Sequence, residues 1–225
     1  MGEAIGQMLP AAVGVAISPF PIVAVVLMLA TPRARTNGPA FLAGWLAGLA
    51  LLGAILLTVS NHLDPTSSSG PATWVTVVKL LAGLALVYLA FRQWQGRPRG
   101  GVAPEEPRWM ASVDGFTPVK TASTGAVLST VNPKNFLLAL AGVEAIAGAG
   151  ISVGEEAIAW LVFILIGSLG VIAPLAVYFA LGARSQQILE DLKGWMIQNS
   201  AVIMTVLLFV IGVKLVGDAI TELSA

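Results

Sequence analysis

Two short polar motifs containing prolines lie about 114 residues apart in an otherwise apolar chain: Ser18-Pro19-Phe20-Pro21 and Asn132-Pro133-Lys134-Asn135. Proline has no backbone N–H and clashes with the carbonyl one turn earlier, so each motif is predicted to break a helix. Inside a bilayer the freed backbone groups must be satisfied by protein or must line a polar cavity. Paired breaks near the midplane are typical of transporters, and the sequence therefore predicts that all eight residues bind substrate.

Lys134 gives this predicted site its charge. A lysine near the bilayer centre costs about 2.5–3.5 kcal/mol on insertion scales unless it is paired or hydrated, so its ammonium is predicted to face the protein interior. Helices that restart at Phe20 and Asn135 would add unpaired N–H groups and the positive end of a helix dipole. These groups favour an anionic or zwitterionic substrate. The alternative is a pair of ordinary proline kinks that only shape helix packing.

Three further sites carry charge inside apolar segments. Glu144 lies ten residues after Lys134. The distance is about 15 Å along an unbroken helix, too far for a direct pair, and Glu144 is the candidate for proton coupling. Lys79 is expected to extend its ammonium to the outer membrane surface. Lys214 and Asp218 lie one helical turn apart and are expected to neutralise each other.

The composition around these residues indicates a bilayer as the solvent. Hydrophobic residues make up 56% of the chain and charged residues 11%, and the mean hydropathy is +0.86. Apolar stretches of about 18 residues or more are long enough to cross a hydrocarbon core of ~30 Å. The sequence predicts an all-α membrane protein with six transmembrane helices, at residues 4–30, 39–60, 73–94, 118–147, 156–182 and 197–221.

The chain divides into two halves of similar pattern. Residues 95–117 are rich in proline, glycine and charge and are predicted to form a cytoplasmic linker. Three predicted spans lie in residues 1–94 and three in residues 118–225, so the second half must begin on the opposite side of the membrane. The predicted fold is therefore two inverted three-helix repeats, with the first and fourth helices broken at the proline motifs.

Lysine and arginine mark the cytoplasmic side of a membrane protein. Nine cations lie in or next to the loops after the first, third and fifth predicted spans: Arg33, Arg35, Arg92, Arg97, Arg99, Arg108, Lys120, Arg184 and Lys193. The opposite loops, 61–72 and 148–155, contain neither residue type. The sequence predicts a multi-pass protein of the cytoplasmic (inner) membrane with both termini on the external side.

Several classes of function are excluded by what the sequence lacks. The net charge is +0 and no basic segment alternates with stacking aromatics, so no nucleic acid is predicted to bind. The chain has no cysteine, and His62 has no suitably spaced second ligand, so neither a metal nor another cofactor is predicted. Ser18 and Ser129 lack a base, and no phosphate-binding motif occurs, so the protein is predicted not to be an enzyme.

The motifs resemble those of a known family. The runs Gly14–Ile22 and Val131–Asn135 and the segment Pro107–Met110 resemble the GAP/Sap group of mycobacterial and actinobacterial proteins. These are the peptidolipid- and sulfolipid-addressing proteins of the LysE exporter superfamily, and the likeness covers nearly the whole chain. It implies six spans, inverted repeats and export of cell-envelope glycolipids or related polar lipids, with lipid-synthesising or exporting proteins as partners.

Three functions are compatible with these patterns. The first is a transporter that exports or flips a polar lipid bound at the paired breaks. The second is a proton-coupled exporter of amino acids or other small metabolites, in which Glu144 is the coupling carboxylate. The third is an accessory scaffold that recruits lipid-synthesising enzymes through residues 95–117. Glycine-rich helix faces also allow a homodimer.

Overall fold

The computed structural model describes residues 1–63, 73–97, 113 and 115–224. Within these ranges the chain is helical and has no strand, which confirms the predicted all-α class. The helices are α1 (Gly2–Ala16), α2 (Pro19–Ala30), α3 (Ala34–Leu63), α4 (Thr73–Gln95), α5 (Pro118–Thr130), α6 (Pro133–Ala147), α7 (Val153–Gly167), α8 (Leu169–Leu181) and α9 (Ser185–Ser224). A short 3₁₀ turn at Gly182–Arg184 joins α8 to α9.

The outer surface of these helices is apolar. Large exposed hydrophobic side chains include Leu51, Leu81, Tyr88, Phe91, Leu165 and Phe179. In the described part of the chain, Ala34–Ser60 and Leu169–Leu223 are long and apolar enough to cross a membrane, and up to four spans result if each of two bent helix pairs is one span. The chain is therefore a membrane protein. Six spans and the inverted repeat stay predictions, and most of the predicted linker 95–117 lies outside the described residues.

Both predicted helix breaks are present. The bend is 47° between α1 and α2 and 59° between α5 and α6. Pro19 and Pro133 each take the first position of the second helix, where an N–H has no helical partner in any case. Ser18 and Asn132 precede them in extended conformation, which the residue before a proline prefers. The chain therefore turns at each motif and restarts as a new helix.

A third and milder break, which was not predicted, divides the predicted span 156–182; the amide of Ser168 still donates to the carbonyl of Ile164 there. Helix α7 ends at Gly167 and α8 begins at Leu169, with Ser168 between them. A Cβ atom on Gly170 would lie 1.8 Å from the carbonyl oxygen of Ala16, so the start of α8 packs directly on the end of α1. The third break consequently lies against the first.

Glycines bring helices of the two predicted halves into backbone contact. A Cβ atom on Gly44 of α3 would lie 1.8 Å from the carbonyl oxygen of Ala122 in α5. Gly83 of α4 and Gly212 of α9 face each other. A Cβ atom on Gly83 would lie 2.9 Å from the carbonyl oxygen of Gly212, and one on Gly212 would lie 2.8 Å from that of Gly83. Small residues allow this close approach in lipid, where packing drives helix association. Gly217, by contrast, has open space around it.

Candidate functional site

The Lys134 side chain extends from α6 to the end of α1. Its Nζ donates a hydrogen bond to the carbonyl oxygen of Gly14 at 2.8 Å, and the residue is 4% exposed. In a continuous helix the Gly14 carbonyl would accept from the amide of Ser18. Here that amide donates to the carbonyl of Val15, so the Gly14 carbonyl is available to Lys134. The ammonium also meets the negative end of the α1 dipole. Lys134, which belongs to the second motif, therefore caps the carbonyl end of α1 at the first break.

Asn135 caps the second break. Its Nδ2 donates to the carbonyl oxygen of Leu128 at 2.9 Å. Leu128 lies one helical turn before the second break, the position that Gly14 holds at the first. Both carbonyls thus accept hydrogen bonds from side chains of the second motif.

The two breaks offer few free amide donors. Pro19 and Pro21 have no N–H, so the first turn of α2 has only the amide of Phe20. In α6 the amide of Lys134 donates to Asn132 Oδ1 at 3.1 Å. The cradle of N-terminal amides is therefore smaller than the sequence predicts, and side chains supply most of the polarity.

Three buried polar atoms around the breaks have no hydrogen-bond partner in the described structure: Ser18 Oγ, Asn135 Oδ1 and Ser168 Oγ. Each of these residues is 1% exposed or less. Buried polar atoms are nearly always hydrogen-bonded, so unpaired ones mark a place for water or a ligand. Sequence reasoning missed Ser168, whose sequence signal was the small-residue pattern of Gly167 and Gly170 around it. We call Ser18, Lys134, Asn135 and Ser168 the break site.

The break site contains a buried lysine, and no carboxylate of the described residues pairs with it. The ammonium of Lys134 has three N–H donors, and the Gly14 carbonyl accepts one of them. The salt bridges between described residues involve Lys79 and Lys214 instead. A buried ammonium without a counter-ion is costly in surroundings of low dielectric constant. An anionic group at the break site would lower that cost.

The other predicted binding residues divide between the interior and the outer surface. Pro19 and Pro21 are buried and Asn132 is half-buried. Phe20, in contrast, is 43% exposed, and Pro133 is also exposed. The breaks therefore reach the apolar outer surface, where the acyl chains of a lipid can lie against them.

A second polar cluster lies between α4, α6 and α9. Lys79 Nζ forms a salt bridge with Glu144 Oε1 at 2.5 Å and another with the carboxylate of Glu222. Thr76 Oγ1 donates to Glu222 Oε2 at 3.0 Å. Lys79 is only 8% exposed, so the expectation that it extends to the membrane surface is wrong, because two carboxylates hold it inside. We call Lys79, Glu144 and Glu222 the Lys79 cluster.

A polar cavity of about 410 Å³ opens beside the Lys79 cluster. Its lining also includes Gln7 from α1 and Lys214, Asp218 and Thr221 from α9. Lys214 Nζ and Asp218 Oδ2 are 2.7 Å apart, which confirms the expected pair within one helix. Glu144, the predicted proton-coupling residue, thus lies in a charged cavity and is not isolated in apolar surroundings.

Comparison with known proteins agrees with the resemblance of the motifs. The family described as Sap, sulfolipid-1-addressing protein, matches residues 8–221. The match spans all three helix breaks. No curated protein and no solved structure matches the chain significantly. The chain belongs to the Sap, sulfolipid-1-addressing protein family.

Proposed function

We propose that the protein exports or flips an anionic polar lipid of the cell envelope and binds its headgroup at the break site. The observation that carries the proposal is the buried Lys134 ammonium, which has a carbonyl partner but no carboxylate partner in the described part of the chain. The description of the family as sulfolipid-addressing supports a lipid with an anionic headgroup. The Lys134 ammonium and the family description together support an anionic lipid as the substrate class.

The break site has the groups that a polar headgroup needs. Two N–H donors of Lys134 are free to bind anionic oxygens. The hydroxyls of Ser18 and Ser168 can each donate and accept, and the Asn135 amide oxygen accepts from sugar or alcohol hydroxyls. The exposed Phe20 lets acyl chains remain in the bilayer while the headgroup enters.

We propose the predicted inverted repeat as the architecture that moves the lipid. Ala12 and Ala126 lie about 114 residues apart, the same spacing as the two motifs. A Cβ atom on Gly167 would lie 3.7 Å from the carbonyl of Ala12, and one on Gly48 would lie 3.0 Å from that of Ala126. Corresponding residues of the two halves thus each receive a glycine of the other half. This match supports a mechanism in which residues 1–94 and 118–225 rotate against each other around the break site.

The proposed location is the cytoplasmic membrane, with both termini outside the cytoplasm. The salt bridge between Lys79 and Glu222 places the start of α4 and the end of α9 at the same end of the helices. The proposed topology requires this arrangement, because the external loop leads into α4 and the chain ends after α9. The loops after the first, third and fifth predicted spans carry the Lys and Arg residues, which supports the proposal that these loops face the cytoplasm.

A proton-coupled exporter of small metabolites is the second candidate function. The polar cavity beside the Lys79 cluster favours it, because this cavity would accept a small water-soluble molecule without an acyl chain. The two candidates differ in which residues touch substrate. A lipid exporter binds at the break site, whereas a metabolite exporter binds in the cavity.

Lipidomics and metabolomics of cells with and without the protein test the proposal. If the protein exports a polar lipid, deletion should deplete one anionic lipid class from the cell surface and raise its amount inside. Expression of the wild-type chain should restore the surface amount. An unchanged lipid profile together with accumulation of a small metabolite would instead support the second candidate.

A further inference from the structure

The cavity beside the Lys79 cluster contains more negative than positive charge. The charged groups in its lining are those of Lys79, Lys214, Glu144, Asp218 and Glu222. From α1 the lining receives the neutral Gln7, whose amide donates to Glu3 Oε1 at 3.1 Å. With all groups ionised, these lining residues have two positive and three negative charges. One bound proton would make the lining neutral.

Glu144 is the carboxylate whose single partner is shared with another carboxylate. Asp218 has Lys214 one turn away on its own helix, and Glu222 accepts from Thr76 as well as from Lys79. Glu144 has the Lys79 ammonium, and its side chain is 33% exposed toward the cavity. A cavity of this size holds several waters, since one water occupies about 30 Å³ of liquid volume. Protons can therefore reach Glu144 through water.

We propose that Glu144 binds a proton from the cavity and that protonation releases α6 from α4. The proton binds a carboxylate oxygen of Glu144 and removes the negative charge from its pair with Lys79. Lys79 then keeps Glu222 as its counter-ion. No covalent bond breaks, and the net charge of the cavity lining rises by one unit. This inference gives the lipid transporter a means of energy coupling, which the lipid-binding proposal does not contain.

Helix α6 connects the proton site to the break site. Glu144 lies in its last turns and Lys134 in its first, about 15 Å apart along one helix. The proposal requires that α6 tilts against α1 as one rigid helix when Lys79 releases Glu144, and this tilt would strain the hydrogen bond from Lys134 to Gly14. Proton binding at one end and opening of the break at the other become linked equilibria.

The distance between α4 and α6 can be measured as a function of pH without any substrate. The chain has no cysteine, so Val77→Cys on α4 and Ala147→Cys on α6 introduce two unique positions for spin labels. The full-length protein in lipid nanodiscs is examined by electron–electron double resonance across a range of pH. We expect a short distance at high pH and a growing longer population as the pH falls.

Variants identify the proton acceptor. Glu144→Gln should show the low-pH distances at every pH, and its infrared difference spectrum should lack one protonated-carboxyl band. Glu190→Gln, an exposed carboxylate on α9, is the matched control and should keep the wild-type response. If Glu144→Gln does not fold, the triple variant Lys79→Met/Glu144→Gln/Glu222→Gln removes all three charges of the Lys79 cluster, so no partner is left unpaired, and it should also abolish the pH response.

Two results would overturn the inference. One is a wild-type distance that does not change with pH. The other is a pH response in Glu144→Gln, or in the triple variant, that equals that of the wild type. Neither result would touch the proposed lipid export, because no lipid substrate takes part in the measurement.

Discussion

Lys134 in α6 donates a hydrogen bond to the carbonyl oxygen of Gly14 in α1 across 120 residues of sequence. The same side chain therefore joins the two predicted halves and brings a positive charge to the proposed lipid site. The sequence alone predicted an anion-binding lysine. In the structure Lys134 caps a backbone carbonyl, and its two further N–H donors leave room for the proposed anion as well.

Lys134→Met tests whether the hydrogen bond from Lys134 to Gly14 stabilises the fold. Methionine keeps most of the side-chain stem but leaves the buried Gly14 carbonyl without its donor. We expect the free energy of unfolding to fall by at most about 1–3 kcal/mol, because removal of the unpaired ammonium offsets part of the lost hydrogen bond. Denaturant titration in detergent micelles measures the change. Lys134→Arg should restore only part of the loss, because a planar guanidinium needs a differently shaped space.

The control for this change is Lys193→Met, a lysine in α9 that lies outside the break site. Its stability should stay within about 0.5 kcal/mol of the wild type. Equal stability of Lys134→Met and the wild type would show that the contact with Gly14 does not stabilise the fold.

Gly44→Ala tests the close contact between α3 and α5. The new methyl group would lie 1.8 Å from the Ala122 carbonyl oxygen, so the two helices must separate. We expect destabilisation of about 1–3 kcal/mol, seen as a lower midpoint of thermal unfolding. Gly217→Ala has open space and lies inside α9, so it should be neutral or slightly stabilising. Similar midpoints for the two variants would contradict the packing of α3 on α5.

Single cysteines test the topology, because the natural chain has none. On intact cells, a membrane-impermeant thiol reagent should label Thr66→Cys and Ser224→Cys. It should label Gly101→Cys and Lys193→Cys only after the membrane is opened, because positively charged loops are predicted to lie on the cytoplasmic side. Protection of Ser224→Cys in intact cells would rule out the inverted three-plus-three arrangement.

Glu155 makes the start of α7 sensitive to acid. The amide and Oγ of Ser152 donate to Glu155 Oε2 at 3.0 and 2.9 Å, and these bonds, the backbone one first, lower the pKa of Glu155. A carboxyl whose folded-state pKa is lowered stabilises the fold above its unfolded-state pKa, and the contribution is lost as the pH falls through the folded-state pKa. Glu155→Gln should therefore remove part of the acid sensitivity of thermal unfolding. An unchanged pH profile would contradict the assignment.

The sequence predicted the breaks whose cause is local. Pro19 and Pro133 follow residues that favour extended backbone, so each can begin a helix. Proline alone is not sufficient, since Pro10, Pro39 and Pro174 lie inside continuous helices. The break at Ser168 has no proline, and its partner surface on α1 is distant in sequence, so periodicity could not reveal it.

The Lys79 cluster could not be predicted for a related reason. Glu222 lies 143 residues after Lys79, and Glu144 is on yet another helix. Each charge considered alone has a simple interpretation, such as extension to the membrane surface. Only the packing of α4 on α9, which also brings Lys79 within reach of Glu144 on α6, makes them partners. The pair of Lys214 and Asp218 was predictable, because its spacing of four residues is local.

The most direct test of the central claim is lipid export by Ser18→Ala/Ser168→Ala. Both hydroxyls are buried and have no partner in the described structure, so their removal should leave stability unchanged or slightly raised. The surface-to-interior ratio of the exported lipid is compared with the wild type and with Ser200→Ala, whose hydroxyl bonds within α9. The account predicts a ratio at least about tenfold lower for the double variant, since each lost hydrogen bond to a charged group contributes about 1.5–3 kcal/mol, and a normal ratio for Ser200→Ala. A stable, normally expressed double variant with the wild-type ratio would contradict lipid binding at the break site.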